Sequence, residues 1–284
     1  MLKEVYRYAL KNRDTKVRKI RDSNYDGILA EAAARWTMYT PQQSPCVSAG
    51  VDSSWNKRAF QGLNLYAVDA VAVTSANELL AVEFEVDVSD SARNETLESK
   101  AMAMEASVAA RALEQNGKAV VDTILIDGSI IPRLRGKNPL AASDLVRQYG
   151  EKSAVFISKS SESRAQFGEL GSRAGDIYYY GKASKDSPGF SAPARASSES
   201  VNVTEVYARL RIGTPIIRLE FLGRVGEQDI KRSMDLLSYR SVSGYPYCLK
   251  YAHNNCKISD DDIDRLASVF GLQHEPGARV VLNE

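Results

Sequence analysis

Three carboxylates stand where a divalent metal site on a β-sheet would need them. Asp52 follows the apolar run Val47–Val51 in "GVDSSW", Glu105 sits in "ESKAMAMEASVAARAL", and Asp127 ends the apolar run "VVDTILID" just before Gly128 and Ser129. Hard oxygen ligands suit Mg²⁺ and Mn²⁺, which are octahedral and keep waters for chemistry. Two such ions about 4 Å apart activate water and stabilise the leaving oxygen of a phosphodiester. Each carboxylate also has an ordinary reading: a turn aspartate facing water, a glutamate snorkelling at the edge of a buried stripe, a strand-end aspartate in a loop. The ordered set, first strand, first helix, fourth strand, is much rarer than any one member and raises all three together.

The tail adds a nitrogen. The chain has only two histidines, and His253 lies in "YPYCLKYAHNNCK", eight residues after Tyr245. A lone helical histidine is often structural, yet an imidazole also completes carboxylate metal sites or handles a proton near neutral pH. His274, in "LQHEPG", reads as a loop residue without a role. Asp69 alternates with Leu65, Val71 and Val73 on one strand face, an uncomfortable place for an unpaired charge; it is a candidate to support the metals or to pair with a base.

The elements that must position these groups follow from periodicity. The first forty residues read as helical, with "GILAEAAARWTMY" as a second amphipathic segment. Val47–Asp52, Leu63–Val73 and Leu79–Val88 run or alternate at strand length, separated by short turn-like stretches such as "TSAN". This places Asp52 just before a turn. A helix from about Ala92 to Asn116 stops at Gly117, with Leu97, Ala101, Met104, Val108 and Ala112 as its apolar stripe and Glu105 beside it. "AVVDTILIDGS" has the continuous apolar character of a parallel strand buried on both faces. A helix near Ala141–Tyr149, the strand "AVFISKS" and a helix near Ser161–Leu170 come next.

Residues 181–200 are dense in Ser, Ala, Gly and Pro and read as a mobile loop. Two strands, "VNVTEVYARLRI" and "PIIRLEF", a helix at "EQDIKRSMDLLSYRS" and a last helix capped by Ser259 complete the chain. The order β-β-β-α-β-α-β predicts an α/β fold: a ribonuclease H-like mixed sheet flanked by helices, with N-terminal helices and a C-terminal helical extension. As one domain over 1–284, it divides into a helical region (1–40), the core (45–180), the loop (181–200) and C-terminal strands and helices that complete the site (201–284).

Composition limits the classes. The 284 residues, 44% hydrophobic and 26% charged, are those of an ordinary soluble globular protein. No apolar segment is long enough to span a bilayer and the N-terminus lacks a signal-peptide core, so no membrane role is expected. Cys46, Cys248 and Cys256 give neither a disulfide framework nor metal spacing, which fits a cytoplasmic location. The net charge is +1, but Lys3, Arg7, Lys11, Arg13, Lys16 and three more cations crowd the start, suited to a solvated helix face, phosphates or an acidic partner. There is no P-loop pattern and no second glycine-rich phosphate loop, against an ATP-hydrolysing actin-like protein. Two distant histidines and scattered cysteines argue against zinc.

"GVDSSWNKRAFQGLNLYAVDAVAV", Glu105 in its helix, "ILIDGSI", "FISKSSESR", "RLEF" and "GYPYCLKYAHNNCKIS" together resemble the NurA nuclease family, from about Gly50 to near the C-terminus. Ser53 stands where many members carry Gly. The resemblance implies a manganese-dependent DNA nuclease, with Mg²⁺ a possible substitute. It further implies 5'-3' exonuclease action on single and double strands and endonuclease action on single strands. It also implies a homodimer that works with a hexameric HerA-like ATPase in DNA end resection. The implied active site is Asp52, Glu105, Asp127, Tyr245 and His253, with Asp52, Glu105, Asp127 and His253 as metal ligands. Ser53 and Lys159 are candidate phosphate contacts; a turn hydroxyl and a surface lysine are their plainer readings. A non-catalytic DNA-end clamp with the same fold is the alternative.

Overall fold

The computed structural model describes residues 2–21, 24–115, 118–119, 121–134, 146–147, 149, 154–197 and 201–272. The helices used below are α1 (Leu2–Arg21), α2 (Tyr25–Ala34), α3 (Asn94–Leu113), α4 (Ile130–Leu134), α5 (Asp176–Ala183), α6 (Glu227–Ser238), α7 (Tyr247–Cys256) and α8 (Asp260–Val269). The strands used below are β1 (Trp36–Met38), β2 (Ser48–Ala59), β3 (Asn64–Thr74), β4 (Leu79–Ser89), β5 (Thr123–Asp127), β6 (Ala154–Ser158), β7 (Gly189–Ser191), β8 (Ala194–Ser197), β9 (Asn202–Arg209), β10 (Ile217–Leu222), β11 (Ser241–Val242) and β12 (Tyr245–Pro246). Contacts divide the chain into two compact units, residues 1–44 with 157–239 and residues 45–156 with 240–284; the chain passes from one to the other within β6.

The unit formed by 45–156 and 240–284 carries a mixed sheet in the order β5-β2-β3-β4. β2, β3 and β4 are the expected antiparallel meander. The "TSAN" turn between β3 and β4 is held by the Thr74 hydroxyl, which accepts from Ala76 N at 3.2 Å and Glu78 N at 3.1 Å, while Asn77 takes a positive φ of 63°. β5 runs parallel to β2 in the register Ser48↔Thr123 to Val51↔Ile126. Its Ile124, Leu125 and Ile126 are fully buried, as a strand covered on both faces requires. Helix α3 packs on β2, β3 and β4, burying the expected stripe Leu97, Ala101, Met104, Val108 and Ala112.

Helix α7 lies across β2 and β3, and Gly50 is what lets it approach. A Cβ at Gly50 would fall 2.3 Å from the Cys248 carbonyl carbon, so only glycine permits this backbone contact. Helix α8 opens with a capping box: Ser259 Oγ accepts from Asp262 N at 3.2 Å, and Asp262 Oδ2 accepts from Ser259 N at 2.9 Å. Its Ile263 and Ala267 pack with Leu65, Ala67 and Phe60.

The other unit holds strands in the order β1-β7-β9-β10, with β8 paired to β9. Its core gathers Ile28, Phe167, Tyr179, Tyr180 and Tyr207. Among the described residues no helix is long and apolar enough to cross a membrane.

Four local expectations are corrected. Asp52 does not precede a turn: β2 continues to Ala59, because β3 pairs with it residue for residue from Ala49↔Thr74 to Ala59↔Asn64. The polar run "DSSWNK" is held extended by its partner strand rather than by propensity. The second helix ends at Ala34, and Trp36–Met38 instead form β1 against β7, as their β-branched and aromatic side chains favour. Of the expected loop at 181–200, residues 181–197 supply the end of α5, then β7 and β8, while 198–200 lie outside the described residues. Composition hid this because small residues are what the close packing needs: a Cβ at Gly189 would meet the Thr37 carbonyl oxygen at 2.3 Å. The segment Ser161–Leu170 forms turns, not a helix, held by the Asp176 carboxylate, which accepts from Gln166 N at 2.8 Å and Phe167 N at 3.2 Å. The expected helix near Ala141–Tyr149 falls largely outside the described residues, as do Gly117 and His274.

Candidate metal centre

The parallel register of β2 and β5 sets Asp52 beside Asp127, one residue past the last paired rung Val51↔Ile126. β5 ends at Asp127 and Gly128 turns the chain with φ +93°, so the carboxylates meet at the carboxyl end of a parallel strand, where open sheets bind ligands. Asp52 is buried at 9% exposure. Its Oδ1 accepts from Ser53 N at 2.9 Å, and its Oδ2 lies 3.0 Å from His253 Nδ1. Helix α7 brings His253 there, and the imidazole stays largely open to solvent, with its side chain 59% exposed.

Asp127 Oδ1 accepts from the Tyr245 hydroxyl at 2.9 Å. Burial and the Asp127 charge push the Tyr245 phenol far above its ordinary value, so it is a neutral donor at any working pH. Burial, followed by the nearby Asp127 charge, also raises Asp52, while His253 and Ser53 N pull it back.

One ligand atom from each of Asp52, Asp127 and His253 lies within 4.8 Å of the others. Two facing carboxylates plus one imidazole make a donor set whose like-charge repulsion a divalent cation relieves. The residues therefore fit such an ion. Mn²⁺ accepts imidazole more readily than Mg²⁺, which prefers oxygen.

Glu105 is in place but differently occupied. It is buried at 3% exposure. Its Oε1 accepts from Ser53 Oγ at 2.7 Å and its Oε2 accepts from Arg133 Nη2 at 2.5 Å. Burial raises the Glu105 carboxyl, and Arg133 and Ser53 oppose that. Ser53 thus turns its hydroxyl to Glu105. Asp69, opposite Ser54 on β3, is raised to about 7 by burial first and Asp52 also, and its Oδ1 has no hydrogen-bond partner among the described residues. Lys159 is exposed just after β6 and belongs to the other unit.

Sequence reasoning missed Arg133. It sits on α4, six residues after Asp127, and besides Glu105 it donates through Nη1 to Ser129 O at 2.5 Å and through Nη2 to Asp127 O at 3.2 Å. The only hint in "IDGSIIPRLRG" is a cation close behind the strand-end aspartate, a signal too common to single out. The direct Tyr245–Asp127 bond was equally invisible, because nothing local in sequence fixes the partner of a tail tyrosine.

Comparison with known proteins adds the family. A model of the NurA domain matches residues 46–258. The DNA double-strand break repair nuclease NurA of Sulfurisphaera tokodaii is 27% identical over 171 residues, covering 57% of this chain and 47% of that protein. The protein of that name from Saccharolobus solfataricus is 38% identical over 68 residues, 24% of this chain and 20% of its own length. The chain thus spans less than half the length of either curated relative. The crystal structure of the NurA nuclease from Sulfolobus solfataricus superposes with a TM-score of 0.81 at 21% identity, over 95% of this chain and 97% of that one. A NurA structure bound to dAMP and manganese gives a TM-score of 0.64 at 11% identity, over 97% and 99%. These likenesses establish the fold, the expected mixed α/β sheet of the ribonuclease H-like kind flanked by helices. With its family model matched from residue 46 to residue 258, this chain belongs to the NurA family.

Proposed function

We propose that the chain is a metal-dependent DNA nuclease, hydrolysing phosphodiesters with Mn²⁺ in preference to Mg²⁺. The observation that carries this is the meeting of Asp52, Asp127 and His253 within 4.8 Å at the end of β5. Asp52, Asp127 and the His253 imidazole would hold the ion, with Glu105 close by. A divalent ion supplies charge against the developing negative charge of the phosphate and makes the attacking water more acidic. The chain's residues do the rest. Tyr245 fixes one Asp127 oxygen, Ser53 fixes Glu105, and the solvent-open His253 ring beside Asp52 is placed to hold or pass a proton. Lys159 is proposed as a phosphate contact and Asp69 as a support for the site.

Relatives named as DNA double-strand break repair nucleases, and a similar fold holding dAMP and manganese, support DNA as the substrate. On the same footing we infer action at single strands and duplex ends with 5'-3' polarity, a homodimer, and work with a HerA-like hexameric ATPase, since no nucleotide-binding loop appears in this sequence. Light scattering and pull-down with such an ATPase test the assembly separately.

The deciding experiment digests end-labelled single- and double-stranded DNA with Mn²⁺, Mg²⁺ or EDTA. Cleavage is expected with Mn²⁺, weaker cleavage with Mg²⁺, and none with EDTA. Asp52→Ala should abolish cutting yet keep DNA binding, because phosphate contacts carry most of the affinity. DNA binding without any cleavage by the wild-type protein would leave a non-catalytic end clamp.

A further inference from the structure

Arg133 is buried against the carboxylate that the metal centre leaves outside its three donors. The Arg133 and Glu105 side chains are only 7% and 4% exposed. One guanidinium spans three elements: it donates to Glu105 of α3, to the Asp127 carbonyl at the end of β5, and to the Ser129 carbonyl at the entry to α4. It also lies 5.6 Å over the Phe156 ring, and a Cβ at Gly128 would sit 3.5 Å from its Nη1. Both Glu105 oxygens are thereby taken by protein donors, one from Arg133 and one from Ser53.

A buried carboxylate needs a positive partner, and here that partner comes from the chain. Arg suits the place because its planar fork reaches a carboxylate and two carbonyls at once, which an ammonium cannot do in one plane. The same positive charge stands next to the centre where Asp52, Asp127 and His253 converge, since Arg133 bonds the backbone of Asp127 itself.

The geometry points to Arg133 as a positioning residue that serves as the built-in counter-ion of Glu105, holding Glu105 and the Asp127 turn in place while competing with a divalent ion for that carboxylate. This rests on the metal-centre reading, but not on DNA cleavage. Removing the guanidinium leaves Glu105 uncompensated, so a divalent ion gains a third carboxylate and loses a repelling charge. The ion then takes over part of what Arg133 does for the fold. Catalysis moves the other way, because Asp127 and Glu105 lose their common anchor.

The test uses the full chain without DNA. Mn²⁺ is titrated by electron paramagnetic resonance into wild type, Arg133→Gln and Arg133→Lys, and melting is followed with Mn²⁺ or EDTA. Arg133→Gln is expected to bind Mn²⁺ about tenfold more tightly, as loss of a nearby like charge predicts. Its melting temperature should fall in EDTA and recover with Mn²⁺ by more than that of wild type, since a ligand stabilises the state it binds. Arg133→Lys, which keeps the charge, should bind Mn²⁺ as wild type does. Equal or weaker Mn²⁺ binding by folded Arg133→Gln overturns the proposal. So does an Arg133→Gln protein that fails to fold with Mn²⁺ present as well as absent, because the ion then does not replace the guanidinium. A wild-type protein that cuts no DNA would remove the nuclease reading and leave this titration as informative as before.

Discussion

The Tyr245 hydroxyl donates to Asp127 Oδ1 at 2.9 Å, joining residues 118 apart in the sequence. The bond ties the segment leading into α7 to the strand end that carries Asp127, so two stretches distant in sequence share one carboxylate. Because burial and Asp127 hold the phenol in its neutral form, the tyrosine works as a fixed donor rather than as an acid or base. It fixes Asp127 Oδ1 in place at the strand end.

Tyr245→Phe is therefore expected to weaken Mn²⁺ binding and cleavage about tenfold, the low end of what losing a partner of a metal-ligating carboxylate costs. Raising Mn²⁺ should restore much of the rate. A loss that persists at saturating Mn²⁺ would mean that the hydroxyl acts on water or phosphate instead.

Gly50 decides whether α7 can deliver His253 at all. With a Cβ placed 2.3 Å from the backbone of Cys248, Gly50→Ala must push α7 off β2. A cost of about 1–3 kcal/mol is typical of such overpacking, and backbone on the other side leaves little room to relax. Denaturant melts should show that loss, with Mn²⁺ affinity falling as well because His253 and Tyr245 move with the helix. A stability equal to wild type would show that α7 shifts freely.

Much of this was legible beforehand, for reasons that differ by element. β5 announced itself because both of its faces are buried, so Ile124, Leu125 and Ile126 run unbroken to Asp127. The stripe of α3 and the Ser259 cap are local in origin and appeared as expected. What stayed hidden is set by partners. The length of β2 depends on β3, and the strands within 181–200 depend on β1 and β9. The site shows the same division: Asp52 and Asp127 could be placed by strand order, whereas the Arg133 pairing with Glu105 exists only after the chain has folded.

Asp69 gives a pH signature. Its carboxyl is raised to about 7 from an ordinary 3.8, chiefly by burial. The folded state therefore holds a proton that the unfolded chain releases earlier. The stability from that proton is complete below about pH 4 and is lost as pH rises to about 7, where the folded group ionises. Asp69→Asn should remove this decline. In EDTA the variant should melt a few degrees, about 2–4 °C, above wild type at pH 8 and close to it at pH 4. A constant difference at both pH values would show that Asp69 is ionised throughout.

His253 is placed to act without holding the fold together. Its side chain is 59% exposed and makes one polar contact of note, Nδ1 to Asp52 Oδ2 at 3.0 Å. When Nδ1 carries the proton and donates to Asp52, Nε2 keeps a lone pair that can take a proton or a ligand. Asparagine is similar in reach and keeps a donor for Asp52, but its amide cannot pass a proton and is a poorer ligand. His253→Asn should therefore melt normally and bind DNA normally while losing on the order of a hundredfold or more in cleavage rate, the usual scale for one proton-transfer group. Because the ring also belongs to the donor set, Mn²⁺ affinity should fall together with the rate, and the fraction of the loss recovered at high Mn²⁺ divides ligation from proton transfer. Cleavage at the wild-type rate would reduce the histidine to a hydrogen-bond partner of Asp52 and confine the working site to the carboxylates.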